Sequence, residues 1–475
     1  MPDDSIALLP AHEIARRVRA REVSPVEVLD ACMAQVERHN PTLNAVVTLN
    51  HRAREEAEAL ERRIARGEDV GPLAGLPVGI KDVTEVAGVR TTYCSPLFTD
   101  HVPAEDAAVV QRLRAAGAVI LGKTNTPEFA AGGNTFNAIF GVTRNPWNPE
   151  RSPGGSTGGG GAGLATGMFA LAQGTDLGGS LRIPASFCGV VGLRPSVGLV
   201  PTWPQEYAWD PIQVTGVMGR TAEDVALGLQ SIAGPGEYAP LAQPMVGRDF
   251  AAAVRGAEVR GKRFAYCRDI AGIGIDPDVE RVCRDAAFAL RDAGAEVEEI
   301  ELDLAYARKP FLALRGHWFV SQLYPYLDRV DDFGVNVANN VRAGLKVTPV
   351  ELAEAEVTRK RIWEEFRGLF RTFDHLLTPT MAVPPFPVTE NYPRTVAGKE
   401  METYVDWLAP TFVLSMTGLP VASVPAGLDS AGMPVGLQIV APPQGEERAL
   451  ATAGIVQRLR PLPHPPILQG IGNRE

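Results

Sequence analysis

The chain has 475 residues, 45% of them apolar and 21% charged, enough apolar surface for a large core; disordered, collagenous and coiled-coil classes are excluded. Lys plus Arg number 46 against 56 Asp plus Glu, a formal charge of −10, and no window gathers the basic side chains that a nucleic-acid backbone demands. Cysteines 32, 94, 188, 267 and 283 are scattered without a CxxC pair, so neither a zinc site nor a disulfide framework is expected and the thiols read as reduced and cytoplasmic.

The opening MPDDSIALLP puts acids where a secretion signal carries positive charge. Helical patterns follow in HEIARRVRA, in VLDACMAQVERHN and in REEAEALERRIARG, outer helices with an apolar stripe turned inward. Ser24 and Glu27 form a capping box around Pro25 at the first helical position, because each side chain satisfies an orphan N–H. From Leu76 the grammar changes. LPVGIKDV reads as a buried strand, AEDAAVVQRLRAAGA as a helix closed by Gly117, and AVILGKTN as a second strand. GKRFAYC, a helix from Asp276 and Pro277 to about Gly294, and AEVEEIEL repeat the theme. HLLTPTM, LPVASVPAG and PVGLQIVAP read as strands before a last helix near Glu446 to Arg460. This alternation predicts an α/β architecture, a sheet covered by helices.

The densest chemical signal is SPGGSTGGGGAGLATGMFALAQGTDLGGSLRIP, from Ser152 to Pro184, in which Ser156 and Ser180 each follow a Gly-Gly pair. Its uncharged part, Ser152 to Thr175, is too poor in Leu, Ile and Phe for a membrane span. Gly158-x-Gly160-x-x-Gly163 lacks the preceding strand of a dinucleotide fingerprint, and Gly154-x-Ser156-x-Gly158 lacks the strand of a nucleophile elbow. A tightly packed Gly-rich core helix with ordinary serines accounts for the segment taken alone. A nucleophilic serine needs a base, and none of the seven histidines is near in sequence. Lys81 can serve if burial lowers its pKa from about 10.4 toward 7–8, and it sits in VGIKDV, where a lysine has no packing reason to be. Between about 201 and 410 the sequence is richer in aromatics, most of them core and loop packing, with a few expected to line a substrate cleft.

The blocks GLPVGIKD (75–82), ILGKTNTPEF (120–129), SPGGSTGGG (152–160), GTDLGGSLRIPASFCGVVGLRPS (174–196), GRTAEDVALGL (219–229), LLTPTM (376–381) and PVGLQIVAP (434–442) resemble the amidase signature family of serine hydrolases over nearly the whole chain. The resemblance implies a mixed, twisted central β-sheet covered on both faces by α-helices. It also implies a single amidase domain over 1–475, with outer helices to 70, a signature core over about 75–200, a variable substrate-pocket region over about 201–410 and a C-terminal return over 411–475. Carried over by position, Ser180 is the nucleophile, Ser156 the bridging serine after a cis Gly155–Ser156 peptide, and Lys81 the base. The N–H groups of Leu177, Gly178, Gly179 and Ser180 form the oxyanion hole, and Asp176 and Arg182 orient the loop. Ala130, Gly132 and Gly133 contact substrate. Thr157 stands where family members often carry a second serine, and its hydroxyl is expected to keep that serine's hydrogen bond.

The activity so implied is hydrolysis of an amide C–N bond through an acyl-enzyme, with esters and carbamates cleaved if they fit, and with no metal or organic cofactor. The expected partner is a small-molecule amide, with neither nucleic acid nor membrane; assembly as a homodimer stays open. GKTNTPE and TRNPWNPERSPGGS resemble the branch holding 6-aminohexanoate cyclic-dimer hydrolase and other standalone amidases. Two alternatives remain: the A-type component of glutamyl-tRNA amidotransferase, which releases ammonia from glutamine, and a non-hydrolytic ligand receptor on the same scaffold.

Overall fold

A computed structural model describes residues 5–237 and 239–471, so the acids Asp3 and Asp4 of the opening lie outside the described residues. Eleven strands form one mixed sheet: β1 (Val46–Leu49), β2 (Pro77–Lys81), β3 (Val119–Thr124), β4 (Leu171–Asp176), β5 (Val191–Arg194), β6 (Val214–Gly219), β7 (Arg263–Tyr266), β8 (Glu296–Glu299), β9 (His375–Pro379), β10 (Val421–Leu428) and β11 (Pro434–Val440). They lie in the order β1-β3-β2-β4-β6-β5-β10-β11-β9-β7-β8, with helices flanking them. β3, β2 and β4 run parallel, as do β9, β7 and β8; the strands between pair antiparallel. Every residue of β2, β3 and β4 is buried, as parallel strands covered on both faces require.

Local rules account for several helix starts. The helix Pro25–Leu43 begins with the expected capping box, Glu27 N–H donating to Ser24 Oγ at 3.1 Å and Ser24 N–H to Glu27 Oε2 at 2.7 Å. Asp276 caps Pro277–Ala289, which ends before Gly294 because residues 290–294 continue as tight turns. The strand AVILGKTN is reached from the helix Ala108–Ala115 through Gly117 at φ +89°, where a Cβ would lie 2.1 Å from the Val70 carbonyl oxygen.

The Gly-rich run does fold as a buried helix, Gly158–Ala165. Its glycines are sites of close approach: a Cβ on Gly163 would sit 2.3 Å from the Phe169 ring, and one on Gly159 2.5 Å from the Asn125 nitrogen. Two apolar clusters fill the interior. One packs the N-terminal helices against the sheet; the other gathers helices Arg308–Gln322, Val335–Gly344, Pro349–Leu369 and Ala409–Ser415 over the opposite part. All five cysteines are buried and unpaired. Among the described residues no helix is long and apolar enough to cross a membrane.

Candidate active site

β2 and β4 are parallel neighbours, with Val78 opposite Leu171 and Ile80 opposite Gln173, so their C-terminal ends bring Lys81 beside Thr175 and Asp176. Lys81 is fully buried and donates from Nζ to Ser156 Oγ at 2.6 Å and to Thr175 Oγ1 at 3.0 Å. Burial pushes its pKa down to about 7, against the opposing pull of the Asp176 carboxylate. Ser156 follows a cis peptide with Gly155 and lies two residues before the Gly-rich helix. A second buried lysine, Lys123 on β3, does not meet either serine: it bonds the Thr84 carbonyl and Thr91 Oγ1 and lies 3.9 Å from Asp82.

Ser180 sits on the turn after β4, half-buried where Ser156 is wholly buried. Asp176 builds that turn. Its carboxylate accepts from the N–H of Gly179 at 2.9 Å and of Leu181 at 3.2 Å, and receives Arg182 through Nε at 3.1 Å and Nη2 at 3.0 Å. Arg194 adds a contact at 3.3 Å. Burial alone would raise the Asp176 pKa, but the two guanidinium groups, Arg182 foremost, hold it well below the usual carboxylate range. Arg182 in turn reaches the Thr411 carbonyl, Gln438 Oε1 and Ser415 Oγ, tying the turn to the C-terminal return.

Ser180 opens into a cavity. An inner recess of about 20 Å³ is lined by Ala130, Gly132, Leu177, Gly178, Ser180 and Arg315, among others. It shares Phe129, Ala130, Thr175, Gln213 and Trp318 with an outer chamber of about 260 Å³, walled by Tyr93, Phe98, Trp203 and Tyr326 and carrying Glu85 and Glu206. Tyr93, Cys94, Phe129 and Ala130 all have φ between +45° and +59°, a conformation L-residues rarely adopt and one that concentrates at ligand sites. No histidine lines either part among the described residues.

Three of the expected site residues are placed differently. Thr157 keeps no side-chain hydrogen bond: its Oγ1 is buried without a partner, packed where a Cβ on Gly174 would fall 2.7 Å away, while its N–H donates to the Ser180 carbonyl at 3.2 Å. The Gly179 N–H is committed to Asp176 and is not offered to the cavity. Gly133 faces the core, because a Cβ there would lie 2.4 Å from Trp407 Cζ2 and 2.7 Å from Leu408 Cδ2. Gly133→Ala is therefore expected to cost about 1–3 kcal/mol of stability by overpacking, read as a lowered urea midpoint.

Sequence reasoning missed Thr175, Tyr93, Phe129, Gln213, Arg315 and Leu408. Two of them carried a local signal: Thr175 stands in GTDLGGS beside the expected Asp176, and Phe129 closes ILGKTNTPEF beside the expected Ala130.

The Amidase family model matches residues 27–450. The chain belongs to the amidase family. Acylamidase of Rhodococcus erythropolis is 35% identical across 97% of this chain and 97% of its own length. The A-type component of glutamyl-tRNA(Gln) amidotransferase from Carboxydothermus hydrogenoformans is 34% identical across 94% of this chain and 96% of its own. Among solved structures, a bacterial aryl acylamidase of the amidase signature family superposes with TM-score 0.88 at 28% identity, covering 96% of this chain and 97% of that one. The 6-aminohexanoate cyclic dimer hydrolase superposes with TM-score 0.88 at 29% identity, covering 97% and 99%. The expected fold and family are thus the observed ones, and this amidase is a hydrolase acting on amides.

Proposed function

We propose that this amidase is an acylamidase that cleaves a small aryl or alkyl amide through Ser180, with Ser156 as proton relay and Lys81 as base. The carrying observation is the 2.6 Å hydrogen bond between a buried Lys81, its pKa near 7, and Ser156 Oγ. In its neutral form Lys81 accepts a proton from Ser156 as Ser156 accepts one from Ser180, and Thr175 holds the amine in place. The Ser180 oxygen bonds to the amide carbon, and the N–H groups of Leu177, Gly178 and Ser180 receive the developing negative charge. The proton returns through Ser156 to the leaving nitrogen, and water repeats the relay to free the acid. This reading draws support from the acylamidase relative and from the aromatic walls of the outer chamber, which suit an aryl amine.

The test is labelling and rate together. A fluorophosphonate is expected to add to Ser180 and to no other residue, and an anilide to be hydrolysed. Because the amine must be neutral to act, kcat/KM should rise with pH through about 7 and fall about tenfold per pH unit below it. In Lys81→Met that inflection should vanish, with activity down by about 10²–10⁴-fold. An unchanged profile in that variant removes Lys81 from the relay.

A second reading, release of ammonia from glutamine within an amidotransferase, is favoured by the 34% identity to the Carboxydothermus protein. Glutaminase activity that appears only with a partner chain, and no anilide hydrolysis, would select it.

A further inference from the structure

Among the described residues, three arginines are fully or almost fully buried: Arg182, Arg194 and Arg315. The first two meet Asp176. Arg315, 5% exposed on the helix Arg308–Gln322, meets no carboxylate among the described residues. It donates from Nε to Asn340 Oδ1 at 2.9 Å and from Nη2 to Tyr404 Oη at 2.7 Å, and its Cζ lies 5.0 Å from the Phe319 ring centroid and 5.6 Å from that of Tyr404. No hydrogen bond from the described residues occupies Nη1. This side chain lines the inner recess that holds Ser180. Guanidinium groups taken out of water are ordinarily paired with an anion, and here the space left for one is the recess itself.

We propose that Arg315 pairs with a carboxylate on the substrate's acyl group, so that the preferred substrates are half-amides of short dicarboxylic acids with an aryl or apolar amine. The inference rests on the hydrolase reading and specifies its substrate class. The lining fixes the orientation. Arg315 and Ser180 share the inner recess, so the acid end belongs there, whereas the outer chamber is large and aromatic and takes the amine. Glu85 and Glu206 in that chamber repel an acid at the outer end. Asn340 and Tyr404 fix the guanidinium plane from behind, leaving its free edge for a planar carboxylate.

Succinanilic acid and butyranilide have the same chain length and differ in carboxylate against methyl. The wild type is expected to favour the acid in kcat/KM by at least about 30-fold, and Arg315→Met to bring the ratio close to one. Equal rates in the wild type, or a preference that survives in Arg315→Met, would overturn the proposal. Calorimetry with succinate and with butyramide reads the same site without turnover: succinate should bind the wild type and butyramide should not, and succinate binding no tighter than butyramide overturns the proposal even if the variant fails to fold. Failure of both anilides with no fluorophosphonate adduct on Ser180 would instead count against the hydrolase reading, and succinate binding would still decide the role of Arg315.

Discussion

Ser180→Ala is expected to lower kcat on an anilide by about 10⁴–10⁶-fold while anilide binding and the urea midpoint stay close to wild type. Ser180 is half-buried and lines the cavity, so its hydroxyl can reach a carbonyl carbon; Ser156 is wholly buried and does not line it. The turn that carries Ser180 is held by backbone bonds to Asp176, which the alanine keeps, and that is why the loss should fall on the chemical step alone. Ser156→Ala should differ in kind: it removes the proposed proton relay and leaves Lys81 with Thr175 only. Stopped-flow acylation with an activated ester separates the two, since Ser156→Ala keeps a slow acyl-enzyme and Ser180→Ala forms none. Burst formation in Ser180→Ala would assign the nucleophile elsewhere.

The second large effect is on stability. Asp176→Asn keeps the shape of the side chain but leaves Arg182 and Arg194 buried without their counter-charge, and breaking a buried pair in this way costs about 3–5 kcal/mol. Urea unfolding should show a lower midpoint with unchanged slope. The same variant should lose fluorophosphonate reactivity in the folded state, because the carboxylate also fixes the N–H groups of Gly179 and Leu181 on either side of Ser180. A folded variant that labels at the wild-type rate would show that the turn aims Ser180 without Asp176.

The contact between Lys81 and Ser156 was more legible in the sequence than the cavity was. Lys81, Ser156 and Ser180 stand in short contiguous motifs whose residue types are costly anywhere else, an ammonium in an apolar strand and hydroxyls between paired glycines, so each announces itself locally. The walls do not. Tyr93, Gln213, Trp318 and Leu408 are ordinary residues in their own neighbourhoods and meet only because the sheet order brings distant segments together. Arg315 looks like any helix arginine until its burial is known.

The strand Leu171–Asp176 escaped notice for a related reason. It is buried on both faces, so it lacks alternation, and Gly174 and Asp176 argue locally against a strand. Gly133 is a different case: the resemblance implies a substrate contact there, and only the ring of Trp407 reveals what the missing side chain makes room for.

The side-by-side alignment of β2 and β4 has a consequence for biogenesis. Side chains on a strand alternate between faces, so a slip of one position would turn the Lys81 amine away from Ser156 and Thr175 while leaving nearly every backbone hydrogen bond replaceable. Under the proposed mechanism, misassembled molecules of that kind would have normal helix and sheet content and no turnover, so the fraction titratable by a covalent probe, rather than circular dichroism, would measure how much of a preparation has matured.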